Sequence, residues 1–508
     1  MKTRGLFLSA LLMGAVMAGC SNEEVMNEDN QRDIKKSDNY IAVNIVAPSD
    51  VASRGEEGGY AAGNENEVKN VWFVFYNSNG GFVDAIPDEL VMNDPGADDN
   101  STIEKISTAM IVLSDPPTWP TQVVALLNTD YTKNELAAMS LNQLKADQGD
   151  FSATDYFVMS NSVYNDAQGV TITATKLNDN QICKTEALAL QNPVSIPVER
   201  VLAKVEADAS KAEYKGILDA ENKVVKTYLD GKEVVFEPVI TGMALVETNP
   251  ESYILKNIDG VTGWTGWNVH TDWRSFWANS AVPANGYESL SWNAITNEGD
   301  IENYLAYCHE NTSSTTTKLL VTAKFKAQGT NDYVSVIKYS GTYYTKQGLI
   351  NQLADLYLGD VYYMEGSTKT NDWAKYLDIR EATTENEKPW EVEAYLMDNA
   401  PEPVDATVNL ADILKTINAK TMSQWTNGAS YYYVDIEHFG PEADGYNVGV
   451  VRNHWYDLTI KSIMGLGTPV FNPDAEIIPD RLDEEHYYLA AEVKILKWKM
   501  VTQEVDLQ

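Results

Sequence analysis

Short apolar runs closed by turn-forming residues recur along most of this chain, and that rhythm restricts it to a fold built of short strands. Ile41, Val43 and Ile45 alternate with Ala42, Asn44 and Val46 until Pro48, Ser49 and Asp50 stop the run, a period of two that puts one set of side chains on a buried face. Val68 to Tyr76, centred on Trp72, Phe73, Val74 and Phe75, is a second strand, and the Asn- and Gly-rich stretch from Asn77 to Gly81 turns the chain after it. Gln122 to Leu127 is apolar residue after residue, as a strand buried on both faces requires. Extended structure resumes at Asp155 to Met159, Val170 to Ala174 and Ser195 to Val198, where Pro197 predicts an edge or a crossing segment. Glu199 to Val205 opens the second half, followed by strands at Lys232–Phe236, Lys318–Lys324, Tyr333–Ile337 and Tyr431–Ile436. Helices are few. Thr132 or Asn134 can cap a short one carrying Leu136, Met139 and Leu144 on one face, and two more fall near Leu349–Leu358 and Leu410–Ile417. The chain is therefore read as mainly β, with antiparallel β-sandwich domains and a few short helices in the connections.

The ends of the chain say where it works. Lys2 and Arg4 give a positive start, Gly5 to Ala18 an apolar run, and Ala18, Gly19 and Cys20 a small-residue cleavage site followed by Ser21, Asn22, Glu23 and Glu24. This looks like a bacterial lipoprotein signal, in which residues 1–19 are removed and Cys20 becomes the acylated (palmitate-bearing) first residue, although Met17 stands where such signals usually have Leu. Acyl chains contribute ~0.8 kcal/mol per buried methylene, so three of them anchor firmly. No apolar run after Ala18 is long enough to span a bilayer, which leaves the lipid as the expected hold on a membrane. Residues 20–39 read as a polar tether. The Gly-rich stretch around Arg54, Gly55, Gly58 and Gly59 reads as an exposed loop, where an arginine is a protease target.

Against 74 acidic residues the 508-residue chain has 38 basic ones, a formal charge of −36, which repels phosphate backbones and argues against nucleic-acid binding. Nothing reads as an enzyme or a cofactor site: His270, His309, His438, His454 and His486 show no metal-ligand spacing, and there is no phosphate loop or nucleophile elbow. His309 with Glu310, and Glu484 and Glu485 with His486, are weak metal candidates that read more simply as solvated faces, so no metal is assigned. Trp264, Trp267, Trp273 and Trp277, with His270 and Phe276 among them, could stack on sugar rings or pack a long loop onto a sandwich. Cys183 and Cys308 could pair or remain free.

Taken in order, several of these pieces resemble the fimbrillins, the lipoprotein precursor subunits of type V pili. They are the Cys20 signal, the first strand with its arginine loop (Ser53, Arg54, Gly55), the Val71–Tyr76 strand with its Asn/Gly turn, Val123–Thr129, and Val198 to Val205 with Glu199, Arg200 and Lys204. Near the end come Val451 to Ile460 with Arg452, Asn453, His454 and Tyr456, then Gly465 to Thr468, and Val493 to Trp498. The resemblance implies two transthyretin-like sandwich domains, here residues 40–198 (first strand 40–47, cleavage loop 48–67) and 199–487. It also implies cleavage by an arginine-specific protease at the Arg54–Gly55 bond, and a C-terminal donor region, residues 488–508.

Loss of the first strand would expose a hydrophobic groove edged by unpaired backbone groups, a template for a strand from another subunit. Leu489, Ala491, Val493 and Ile495 share one face, after which the apolar phase shifts to Leu496, Trp498 and Met500 and implies a second strand. The function so implied is a fimbrial subunit, first an outer-membrane lipoprotein and then part of a surface polymer with other fimbrillins, serving adhesion and biofilm formation through a host or bacterial receptor. The alternatives are an accessory, anchor or tip fimbrillin, and a permanently tethered glycan-binding lipoprotein.

Overall fold

The computed structural model describes residues 38–48, 63–90, 92, 103–114, 116–152, 155–217, 223–261, 268–269, 273–284, 286–296, 301–328, 332–382, 388–438, 448–477, 488–496 and 502–503. Cys20, Arg54, Gly55, Trp264, Trp267, His270, Glu484 to His486, Trp498 and Met500 lie outside them. Mainly β structure is what the chain forms, with helices confined to short connecting pieces.

The first sheet runs in the order Phe82–Asp88, Val71–Tyr76, Gln122–Leu127, Met159–Asn161, Val194–Arg200, Asp38–Pro48 and Ile103–Ser114. Three of these recur below: Asp38–Pro48 is the opening strand, Ile103–Ser114 the rim strand and Val194–Arg200 the junction strand. The junction strand changes partner along its length. Val194 to Pro197 run parallel to Val43–Val46, whereas Val198 to Arg200 pair antiparallel with Met159–Asn161. Pro197 stands at the hand-over, a crossing segment in which the missing N–H costs no central ladder bond. Both halves of the sheet turn side chains into one core: Ile41, Val43, Ile45, Ala109, Ile111 and Leu113 from one, Val71, Phe73, Phe75, Val123, Ala125 and Leu127 from the other. That is a sandwich closed by a single continuous sheet.

A second sandwich faces the sheet of Asn303–His309, Leu202–Asp208, Trp455–Met464 and Tyr488–Leu496 against the sheet of Phe236–Val246, Lys318–Ala327 and Ala429–Asp435. Val205, Leu319, Val321, Tyr456, Leu458 and Ile460 fill the space between. Leu202–Asp208 runs parallel to Trp455–Met464, so this sheet, like the first, is antiparallel with a parallel ladder inserted, whereas the sheet facing it pairs antiparallel throughout, as the sequence reading expects. A third sheet, built from residues between Thr227 and Leu396 together with Met422–Trp425, adds a further core under the helices Lys346–Leu353 and Leu410–Asn418. Both helices fall where the sequence places them. Thr132 caps Lys133–Ala137 in a capping box with Glu135, but the chain breaks there and restarts at a second box, Ser140 with Gln143, to give two short helices in place of one.

Leu458 is fully buried between the two layers of the second sandwich. Leu458→Ala removes three carbons that the neighbours cannot replace, and we expect a loss of about 3 kcal/mol in urea unfolding with an unchanged m value; a loss under about 1 kcal/mol would mean that this interface is not a packed core.

Candidate functional site

The opening strand is held on both edges and both faces. Asp38 to Pro48 pairs antiparallel with residues 103–114 of the rim strand, with an irregularity at Ala47 and Pro48, while Val43 to Val46 pair parallel with Val194–Pro197. Among the described residues the rim strand has no ladder partner besides the opening strand, so it is attached to the sheet through that strand. Toward the core, Ile41, Val43 and Ile45 are completely buried. Burial of three such side chains is worth about 6 kcal/mol. The expectation that this strand covers a hydrophobic interior is met.

The opposite face is closed at one point. Ala42, also 0 % exposed, packs against Cys183 and against Ala189 of the helix Glu186–Gln191, with Tyr40 and Met110 at the border. Thr185 caps that helix, its hydroxyl accepting the Leu188 N–H. Tyr40 and Cys183 exchange backbone bonds of 2.8 and 2.9 Å, a two-way bridge that fixes the segment beside the strand. At the next outward position the Thr108 hydroxyl donates to Asn44 Oδ1 at 2.8 Å. From residue 40 to 45 the seat therefore takes an aromatic, an apolar, a small, an apolar, an accepting and an apolar side chain.

The chain that follows the arginine loop is pinned independently. Glu65 is fully buried; its carboxylate accepts from the Tyr307 hydroxyl at 2.5 Å and pairs with Lys204 at 3.2 Å, and its carbonyl accepts from Arg200 Nε at 2.9 Å. Around it the two sequence motifs meet. Arg200 Nη1 donates to Asn453 Oδ1 at 3.2 Å, Lys204 lies 4.1 Å over the Trp455 ring, Lys256 pairs with Glu199 at 2.7 Å, and Arg452 pairs with Glu310 through Nη2 at 2.6 Å while donating to Ser252 Oγ at 2.8 Å. Burial depresses the Lys256 ammonium, opposed by the Glu199 and Glu310 carboxylates. These charged residues serve one another across the join between the first two sandwiches.

The remaining candidates separate. His309 is buried, its Nε2 accepting the Phe151 N–H at 3.1 Å and its Nδ1 3.0 Å from the Asn249 carbonyl, while Glu310 is committed to Arg452. Phe276 and Trp277 are buried, and Phe276 offers its carbonyl to His438 Nε2, so these members of the aromatic cluster pack the loop and present no stacking face. Cys183 and Cys308 are both free and buried; they do not pair. Burial pushes the Cys308 thiol up to about 12.

The C-terminal donor candidates sit on Tyr488–Leu496, here called the closing strand, which pairs antiparallel with Trp455–Met464 of its own chain, Leu489 opposite Ile463, Ala491 opposite Ile460, Val493 opposite Leu458, Ile495 opposite Tyr456 and Leu496 opposite Trp455. A second strand, Thr502–Gln503, folds back on it. Two features went unread in the sequence: the rim strand, whose period-two signal (Ala109, Ile111 and Leu113 against Thr108 and Val112) was available, and the helix Glu186–Gln191, which is short and largely exposed.

Residues 423–504 match a family model described as the C-terminal part of fimbrillin, the major fimbrial subunit protein type IV. No curated protein matches the chain. Among solved structures, a candidate cell adhesion protein of Parabacteroides distasonis is 12 % identical over 91 % of this chain and 98 % of its own, with a TM-score of 0.39. A C-terminally truncated tip fimbrial protein of Porphyromonas gingivalis is 13 % identical over 91 % of this chain and all of its own, TM-score 0.33. A fimbrial assembly protein of Parabacteroides distasonis is 12 % identical over 57 % of this chain and all of its own, TM-score 0.27.

The buried histidines give this join a pH signature. Burial, reinforced by His438, Arg274 and Lys256, holds His454 well below 6.5, and burial lowers His309 also, so both are neutral in the folded protein. An unfolded histidine takes up its proton near pH 6.5 and these do not, so unfolding binds protons below that pH and stability falls as the pH drops through and below 6.5, by up to ~1.4 kcal/mol per pH unit per histidine. We expect a lower urea midpoint at about pH 5.5 than at about pH 7.5; an equal or higher midpoint would contradict it.

Proposed function

We propose that this chain, whose residues 423–504 match the C-terminal fimbrillin model, is a structural subunit of a cell-surface fimbrium. It is exported as a lipoprotein through Cys20, held at the outer membrane by its lipid, cut after Arg54 by an arginine-specific protease, and joined to further copies by strand exchange in support of adhesion and biofilm formation. The observation that carries the reading is the opening strand: it plugs a hydrophobic seat between two ladders, and Arg54 lies a few residues beyond its end. Once the loop is cut, only non-covalent contacts retain it. The downstream side of the cut stays fastened through Glu65, so the piece set free is the opening strand with the lipid upstream of it.

The closing strand is the proposed replacement. In a single chain it completes its own sheet, so donation trades the Trp455–Met464 ladder for one in a neighbour. Donor and acceptor surfaces differ, which makes the joint head-to-tail and the product an open filament. Of the formal charge of −36, residues 1–54 supply only −1, so the cut subunits still repel one another, and because that repulsion is screened within about 8 Å at physiological ionic strength, assembly should quicken with salt. The pairing of the closing strand within its own sheet also favours a second reading, an accessory, anchor or tip subunit that accepts a strand without giving one.

Treatment with an arginine-specific protease is expected to give a new N-terminus at Gly55. As the opening strand departs, a bulky maleimide should label Cys183 at least tenfold faster than in the uncut chain, Cys308 staying protected as the internal control, and denaturant-resistant ladders should then form with rising concentration. Clean cleavage and faster Cys183 labelling with monomers alone would assign the accepting-only role; cleavage with Cys183 still protected and no ladders would overturn the strand-exchange reading.

A further inference from the structure

Resting on that strand-exchange reading, we propose that the seat of Ala42 fixes the register and direction in which a second copy of this chain docks: Tyr488 takes the place of Tyr40, Leu489 that of Ile41, Ala490 that of Ala42, Ala491 that of Val43, Glu492 that of Asn44 and Val493 that of Ile45. The incoming strand then runs parallel to the junction strand, as the opening strand does.

The seat is selective because, among residues 40–45, its outward face is fully closed at Ala42 alone. Ile41, Val43 and Ile45 face a core that tolerates apolar side chains of several sizes, whereas the outward pocket beside Cys183 and Ala189 holds a methyl group with no exposed surface. Two residues on, the position of Asn44 is half-buried and receives a hydrogen bond from Thr108, so it asks for an acceptor. A glutamate carboxylate satisfies that donor as an asparagine amide oxygen does. The closing strand carries these requirements in order: aromatic, apolar, small, apolar, acceptor, apolar from Tyr488 to Val493.

Other placements of this strand fail on identified residues. A slide of one residue in either direction brings Glu492 to the place of Val43 or of Ile45, a carboxylate in the apolar core. A slide of two sets Tyr488 or Glu492 on the Ala42 seat. Reversing the strand with Ala490 kept on the seat carries Tyr487 to the fully buried place of Ile45 and Tyr488 to that of Asn44, where Thr108 meets a ring. Ala491 is smaller than the Val43 it would replace, so the joint is less filled at that point than the chain's own opening strand.

Cys183 offers a built-in register gauge. It faces position 40 across the two-way backbone bridge, and such paired residues lie about 5.5 Å apart at Cα, within the span of a disulfide. Single cysteines are placed at the donor by His486→Cys, Tyr488→Cys, Ala490→Cys and Glu492→Cys, each chain is cut after Arg54 and allowed to assemble, and copper phenanthroline in air oxidises facing thiols. Thermal unfolding of each uncut variant checks that it folds. The expected result is reducible intermolecular ladders strongest for Tyr488→Cys, weaker for its diagonal neighbour Ala490→Cys, and at least tenfold weaker for His486→Cys and Glu492→Cys. Ladders as strong at 486 or 492 as at 488 would overturn the register while leaving strand exchange intact. Assembly with no bond to Cys183 from any position would overturn the proposed seat, and cut chains that never associate would sink the functional reading together with it. In a second arm, Ala490→Leu should slow assembly at least tenfold where Ala490→Ser does not; equal rates for the two would show that the Ala42 seat does not select.

Discussion

The pairing of Asp38–Pro48 on both edges, over a core that it alone covers at Ile41, Val43 and Ile45, is the contact on which the rest of the first sandwich depends. About 6 kcal/mol of apolar burial in three residues is comparable with the whole net stability of a typical domain, about 5–15 kcal/mol. The rim strand inherits that dependence, since its ladder runs through the opening strand. Under the proposed cleavage after Arg54 these contacts would remain while the covalent link is lost, so the strand would become exchangeable and its loss would have to be made good by something else. A partner strand of matching pattern is the chemically simplest substitute.

The join between the first two sandwiches works in the opposite sense. Its charged residues are paired deep inside, Lys256 with Glu199 and Arg452 with Glu310, and such pairs contribute less net stability than they cost to break. Their effect is to admit one arrangement, because a misplaced partner leaves a buried charge alone. Glu65 ties this join to the chain shortly after Arg54, so the proposed cut falls within a short stretch of sequence between the opening strand and a fixed anchor.

Much of this was legible in the residues. Strands at Val71–Tyr76 and Gln122–Leu127 announce themselves by their apolar runs, and Pro197, inside the extended segment read at Ser195–Val198, correctly marks the place where a strand changes partner. The parallel ladders were not legible, because period two reports which face is buried and says nothing about strand direction. Nor was the role of the Arg452, Asn453 and His454 run. It reads as a family signature in sequence, yet Arg452 and Asn453 are explained by partners far away, Glu310 and Arg200, while His454 Nδ1 lies against the nearby Arg452 carbonyl. The importance of Ala42 was hidden for the same reason: an alanine in a strand carries no signal until the helix Glu186–Gln191 is seen lying over it.

The most direct test of the account is amide hydrogen exchange on the chain before cleavage, after cleavage as monomer, and after assembly, read at Ile103–Ser114 and Val194–Pro197. If the opening strand holds the rim in place, protection of the rim amides falls at least a hundredfold in the cut monomer from which the strand has left and returns in the polymer. Rim amides that stay equally protected in the strand-depleted monomer would contradict the account, since the seat would then close without any occupant.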